Sequence, residues 1–215
     1  MKPAASGDPQ EGMCVVLALP SWRARVLFLL MWLGAPGYGA HALMREFRGH
    51  ARATLFQDVE GLEEALQLIP DAPEVHERLG TIYLLDPAHF DPDRAISHFR
   101  RALELSPRDA RLWMGLGRAY EAKDEADQAA WAYRRAIALA PHHFRPRWLY
   151  ANFLLRREQT EAALAQLGLL VEATPDVVEN ICDLIWHTRE GEAALLVRLA
   201  AGRPAWIAAK VSDYL

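Results

Sequence analysis

The sequence ARLWMGLGRAY at residues 110–120 decides the fold of this 215-residue chain. There and in the segment that follows, small and large apolar residues recur about one helical turn apart: Leu116, Gly117 and Tyr120, then Ala129, Tyr133 and Ala136. The spacing predicts two successive amphipathic helices. Gly117 and Ala129 allow close approach of the backbones, and Trp113 and the tyrosines provide bulk for packing. One helix pair cannot bury its apolar side alone, so the pattern predicts a stack.

The same pattern recurs at a fixed interval. Prolines mark the period, because Pro70, Pro107, Pro141 and Pro175 are spaced 37, 34 and 34 residues apart. In this period and in the residues quoted above, the chain resembles the tetratricopeptide repeat family, whose unit is a 34-residue helix–turn–helix. The resemblance implies an all-α fold, a right-handed superhelix of antiparallel helix pairs.

The sequence divides into four predicted segments. Residues 1–42 form a signal peptide or membrane anchor, and residues 43–72 an incomplete repeat. Residues 73–177 form three repeats (73–109, 110–143, 144–177), and residues 178–215 a divergent helical cap. The first repeat is longer by a loop in which Asp91 can cap a helix that begins at Pro92. In the cap, apolar residues fall in two stripes: Leu195, Leu196 and Leu199, then Trp206, Ile207 and Val211. Atypical ends of this kind are usual for repeat arrays.

The N-terminal segment permits two interpretations. Residues 26–36, VLFLLMWLGAP, are uncharged and apolar, and Ala40-His41-Ala42 offers the small residues that a signal peptidase requires. Alternatively, residues 26–44 are just long enough to cross a bilayer core of about 30 Å as an uncleaved anchor. We expect either a single-pass protein of the cell membrane with periplasmic repeats, or a secreted or periplasmic protein cleaved after Ala42.

The composition excludes several classes of function. A net charge of −4 argues against binding of nucleic acid through overall positive charge. Two cysteines, Cys14 and Cys182, cannot form a disulfide framework. The sequence has no phosphate-binding glycine loop, no H-E-x-x-H and no G-x-S-x-G. Neither candidate metal site is convincing. His142-His143 lies on a turn, where adjacent histidines rarely bind one metal ion together, and the acids around His89 lack the spacing of a calcium-binding loop. We therefore expect no enzymatic activity, no metal and no cofactor.

The family resemblance also implies a binding surface, because the first helix of each repeat lines a concave groove. Transferred position by position, the expected partner-binding residues are Arg111, Met114, Arg118, Arg145, Trp148, Asn152 and Arg156. Arginines at this spacing can hold carboxylates or phosphates. Glu77 and Thr81 stand where the carboxylate-clamp version of the family has Lys and Asn, so that version is not expected here.

The expected function is that of a non-catalytic scaffold or adaptor of the bacterial cell envelope. It would bind an anionic peptide segment or helix of a protein partner, and an integral-membrane protein is one such partner. The envelope setting is implied by a finer resemblance, through Arg147-Trp148, NFLLR at 152–156 and DLIW at 183–186, to membrane-anchored repeat proteins of polysaccharide or protein export. The alternative is an accessory protein in which Trp148 and the arginines bind an acidic glycan.

Overall fold

A computed structural model describes residues 39–54, 58–188 and 193–215. These ranges contain helices and no strand, which confirms the predicted all-α fold. The α-helices are α1 (39–54), α2 (Val59–Leu68), α3 (Pro73–Leu85), α4 (Pro92–Leu105), α5 (Ala110–Ala122), α6 (Ala126–Leu139), α7 (Phe144–Arg156), α8 (Thr160–Ala173), α9 (Val178–Thr188), α10 (Ala193–Ala200) and α11 (Ala205–Tyr214). The chain divides into two compact units, Met1–Phe47 and Arg48–Leu215. The helix pairs belong to the second unit.

Helices that follow one another pack most extensively as the pairs α3 with α4, α5 with α6 and α7 with α8. Each pair is joined to the next by a further interface, α4 with α5 and α6 with α7. The longer loop of the first pair ends as predicted, since the Asp91 side chain accepts a hydrogen bond from the backbone N–H of Arg94 at 3.0 Å and Pro92 is the first helical residue. Asp91 thus satisfies one of the free N–H groups at the start of α4.

Buried side chains of α4 and α6 pack directly on glycines of neighbouring helices. The ring of Phe99 on α4 occupies the space that a Cβ atom would need on Gly80 of α3, and also on Gly115 of α5. On α6, the fully buried Tyr133 covers Gly117 in the same way. The glycines therefore determine how near the helices lie, because any side chain there would overlap an aromatic ring.

The third repeat fills the same two positions differently. Ala151 stands at the position of Gly117, and Leu167 stands at the position of Tyr133. Both residues are fully buried. A larger residue on one helix is thus accompanied by a smaller one on the other, as a close-packed interior requires.

Three helices close the C-terminal end. Contacts of α9 with α7 and α11, and of α10 with α8, continue the stack beyond the third repeat. Arg203 connects this cap to α8, because its guanidinium donates to the carbonyl oxygens of Leu164 and Leu199 and lies against Gly168. The predicted stripes are buried except at Trp206, which is 37% exposed.

The N-terminal predictions fall mostly outside the described residues. This applies to the apolar stretch at 26–36, whereas Ala40-His41-Ala42 lies within α1. No helix in the part of the chain that the structure describes has both the length and the hydropathy needed to cross a membrane.

A buried histidine, His76, and a half-buried one, His98, join the first helix pair. Nδ1 of His76 on α3 lies 3.0 Å from Nδ1 of His98 on α4, and Nε2 of His76 lies 3.2 Å from the carbonyl oxygen of Pro70. Because a carbonyl only accepts, Nε2 of His76 carries the proton and Nδ1 of His76 accepts from His98. Burial lowers the pKa of both rings, that of His98 to about 4. The shared bond requires a neutral His76 ring, since protonation of His76 at Nδ1 would remove the acceptor.

The packing of Gly117 predicts a coupled pair of substitutions. Gly117→Ala should lower the free energy of unfolding by about 1–3 kcal/mol, because the new methyl group overlaps the immobile Tyr133 ring. Adding Tyr133→Leu recreates the Ala–Leu combination of the third repeat, so the double variant should lose clearly less than the sum of the two single losses. Urea unfolding of all four proteins measures this coupling. Gly39→Ala is the control, since no atom beyond its chain neighbours and the adjacent backbone of α1 lies within 4 Å of the position that its new methyl group would take. Additive losses would contradict the proposed contact.

The histidine pair predicts a loss of stability in mild acid. The unfolded ring of His98 takes up a proton near pH 6.5 and the folded ring only near pH 4, so the unfolded state binds more protons between these values. The contribution of the pair is complete above about pH 6.5 and is lost as the pH falls toward 4. His98→Gln should therefore flatten the dependence of Tm on pH in this interval, measured by circular dichroism. His142→Gln, an exposed control, should keep the slope of the unaltered protein. An unchanged slope in His98→Gln would refute the assignment.

Candidate functional site

A cavity of about 640 Å³ opens between the first helices of three successive pairs, α3, α5 and α7. We call it the groove. Its lining residues are Leu84, Leu85, Arg118, Glu121, Ala122, Tyr133, Arg145, Trp148, Leu149, Asn152 and Arg156. The groove is therefore formed where helices of different repeats lie side by side, so its shape depends on the packing between repeats.

The groove brings together five of the seven residues predicted to bind a partner: Arg118, Arg145, Trp148, Asn152 and Arg156. The other two do not line it. Met114 is buried, and the guanidinium of Arg111 forms an ion pair with Asp109 at 2.8 Å and lies 3.8 Å from Glu77. The sequence pattern placed both on the correct helix, but it could not show that Asp109, the N-terminal cap of α5, would engage Arg111.

One arginine of the groove is neutralised by a glutamate on the neighbouring repeat. Arg156 on α7 donates to Glu121 on α5 through Nε at 2.8 Å and Nη2 at 2.7 Å. The hydroxyl of Tyr133 donates to the other carboxylate oxygen at 3.0 Å. Burial raises the pKa of Tyr133, and the nearby Glu121 raises it further, so the tyrosine stays a hydrogen-bond donor at physiological pH.

Two arginines of the groove have no such partner. No carboxylate oxygen among the described residues lies within 4.0 Å of the guanidinium of Arg118 or Arg145. Arg118 is half-buried and Arg145 is exposed. With Arg156 and Glu121 opposing each other, the groove retains two uncompensated positive charges. This arrangement favours an anionic ligand.

Trp148 and Asn152 lie beside these charges, one helical turn apart on α7. The indole of Trp148 stacks on Phe144 with the ring centroids 5.2 Å apart, which fixes its orientation. The amide of Asn152 donates to the backbone oxygen of Trp148 at 2.8 Å and keeps its own oxygen as an acceptor. The groove thus combines a flat apolar surface, an amide acceptor and two cations.

The middle of the described chain matches a known family. Residues 91–143 fit the family described as Tetratricopeptide repeat. The match to this family concerns residues 91–143. The matched region includes α4, α5 and α6, which are the second helix of the first predicted repeat and both helices of the second.

Curated relatives share the repeat region and are much longer proteins. The peroxisomal targeting signal receptor of Kluyveromyces lactis is 33% identical over 101 residues, which are 45% of this chain and 17% of the receptor. The cell division cycle protein 27 homolog of Caenorhabditis elegans is 27% identical over 132 residues, 60% of this chain and 16% of the homolog. The chain spans about a sixth of the length of these relatives.

Solved structures share the fold of the tetratricopeptide repeats. A crystal structure of MamA protein superposes with a TM-score of 0.58 at 17% identity, covering 81% of this chain and 93% of that one. MamA 41-end from Desulfovibrio magneticus RS-1 gives 0.53 at 20% identity, covering 63% and 76%. Pseudomonas aeruginosa PilF gives 0.51 at 19% identity, covering 83% and 87%. At these identities the likeness concerns the fold alone.

Six lining residues of the groove are not among the seven expected to bind a partner: Leu84, Leu85, Glu121, Ala122, Tyr133 and Leu149. The repeat pattern assigns Tyr133 to the core, where it is, but the pattern gives no sign that the hydroxyl reaches Glu121 at the groove. Trp131 on α6 is 51% exposed and packs edge-on against Trp113, with the ring centroids 4.9 Å apart. These tryptophans line a separate cavity of about 710 Å³ between α4, α5 and α6.

The polar loop of the first repeat is internally satisfied. Asp86 accepts from the ring of His89 at 2.8 Å and from the backbone N–H of Ala88 at 3.0 Å. The hydrogen bond from His89, followed by that from Ala88, lowers the pKa of Asp86. The described residues contain no group of three His, Cys, Asp or Glu side chains arranged to hold a metal ion.

Proposed function

We propose that this protein is a non-catalytic scaffold whose groove binds an anionic segment of a partner protein. The observation that carries the proposal is the pair of arginines, Arg118 and Arg145, that face the groove without a carboxylate partner. Charges left uncompensated beside an apolar surface cost nothing while they are hydrated, and they become favourable when an anionic ligand reaches them.

The apolar part of the lining supports a protein partner over a sugar. Leu84, Leu85 and Leu149 contribute aliphatic surface to the groove, which suits the side chains of a peptide better than the hydroxyl groups of an acidic glycan. A relative with 33% identity is named as a receptor for a targeting signal. By analogy, we propose that this chain recognises a peptide segment.

The groove offers little for catalysis. Its lining residues include no serine, threonine, cysteine or histidine. Its single carboxylate, Glu121, is engaged by Arg156 and Tyr133, and the tyrosine is held in its protonated form by burial. A base that is already bound to a cation and a phenol is poorly suited to accept a proton.

We further propose that the protein works in the bacterial cell envelope, which rests on the sequence of the N-terminal segment. Intact mass of the protein recovered from separated membrane and soluble envelope fractions tests this. A soluble species that begins at Leu43 would show cleavage after Ala42, and the full-length mass in the membrane fraction would show an anchor. Full-length protein in the cytoplasmic fraction alone would refute the envelope setting.

The groove predicts charge-dependent capture of a partner in living cells. A photo-crosslinking amino acid at Ala122, an exposed residue of the groove lining, should give a covalent adduct whose partner is identified by mass spectrometry. Arg118→Glu with Arg145→Glu should reduce the adduct at least tenfold, because the groove then repels an anionic segment.

The matched control is Arg134→Glu with Arg135→Glu, which makes the same change in net charge at two exposed residues of α6. This variant should keep the adduct. Helical circular dichroism and Tm should be the same in both variants. Equal yields of adduct from the two variants would overturn the groove as the binding site, and a captured glycan would favour the alternative partner.

A further inference from the structure

The helix α1 carries a stripe of exposed apolar side chains. Leu43, Met44 and Phe47 lie on one side of the helix, since residues three and four apart are neighbours on a helical surface. Their exposed fractions are 68%, 51% and 70%. Phe47 and Leu43 are the two most exposed large apolar residues in the part of the chain that the structure describes. Exposure of this kind on consecutive helical positions marks a surface for interaction.

Arginines lie along the edge of this stripe. Arg45, Arg48 and Arg52 follow one another at spacings of three and four, so they form a row along the helix. Arg48 lies nearest to the apolar residues, beside Met44, and Arg45 lies farther round the helix. Arg52 forms an ion pair with Glu64 of α2. Arg45 and Arg48 have no ion pair with any described residue. Two cationic side chains beside the stripe are therefore available to a ligand.

A different side of α1 is the packed one. Gly49 is buried, and a Cβ atom there would meet the side chain of Ile69. Ala53 is buried too, and its carbonyl oxygen accepts a hydrogen bond from Arg78. The apolar stripe and the packed residues occupy different sectors of the helix.

We propose that α1 lies in the surface of an anionic lipid bilayer, with Leu43, Met44 and Phe47 among the upper parts of the acyl chains and Arg45 and Arg48 on lipid phosphates. An apolar stripe flanked by unpaired arginines is the pattern of an interfacial helix. Charge complementarity favours lipid phosphate as the ligand of these arginines. The adjoining apolar sequence at 26–36 would keep such a surface close. The proposal is independent of the groove and its partner.

The depth of each residue tests the proposal in the full chain. The fluorophore NBD is attached to a cysteine introduced as Leu43→Cys, Glu46→Cys or Phe47→Cys. Cys14→Ser removes one native thiol. The other, Cys182, reacts slowly, because it is buried and burial raises its thiol pKa to about 11. With vesicles of phosphatidylcholine and phosphatidylglycerol, emission should shift to the blue at positions 43 and 47 and stay unshifted at 46. A shift that decreases steadily from 43 to 47 would indicate a membrane-crossing segment and would overturn the proposal.

The charge requirement is tested by vesicle binding. Each arginine near an anionic surface strengthens partition about fivefold, so Arg45→Glu with Arg48→Glu should weaken it about 25-fold or more. Because the segment at 26–36 could itself hold the chain on a vesicle, the NBD shift at position 47 is the signal titrated with lipid. Arg134→Glu with Arg135→Glu, the control of equal charge change, should bind as the unaltered protein does. Equal titrations for both variants, or equal shifts with pure phosphatidylcholine, would refute the role of the arginines.

Discussion

The stack of helices depends on the close approach of aromatic rings to glycines. Phe99 packs on a glycine of its own pair and on a glycine of the next, so one side chain fixes two helix–helix distances. Truncation of a buried ring of this size costs about 3–5 kcal/mol, a large part of the stability of a small domain. The arrangement of α3, α4 and α5 therefore follows from the contact of Phe99 with Gly80 and Gly115.

The side chain of Tyr133 connects the core to the groove. The ring of Tyr133 belongs to the buried packing between repeats, while its hydroxyl holds Glu121 at the edge of the groove. Glu121 in turn engages Arg156, which belongs to the following repeat. The charge pattern of the groove is thus tied to the spacing of the repeats, and a change in that spacing would alter which cations are left uncompensated.

The sequence was sufficient to predict the helices and their order of packing, and insufficient to predict the pairing of long side chains. Leu116, Gly117 and Tyr120 recur at a spacing that only a helix uses, and Asp91 before Pro92 is a local signal that acts over one turn. Arg111 and Arg156 are both expected to face a partner, yet one engages a residue two positions earlier and the other a residue of the preceding repeat. Such choices depend on rotamers and on neighbours distant in sequence, which a repeat pattern does not encode.

The different fillings of equivalent positions mean that these repeats are not interchangeable modules. The second repeat combines glycine with tyrosine, and the third combines alanine with leucine. If α8 replaced α6 alone, leucine would face Gly117 and leave a void. If α6 replaced α8 alone, tyrosine would be forced onto Ala151. Recombination between repeats could thus succeed only when both helices of a pair are inherited together, so the heritable unit of this array is the helix pair.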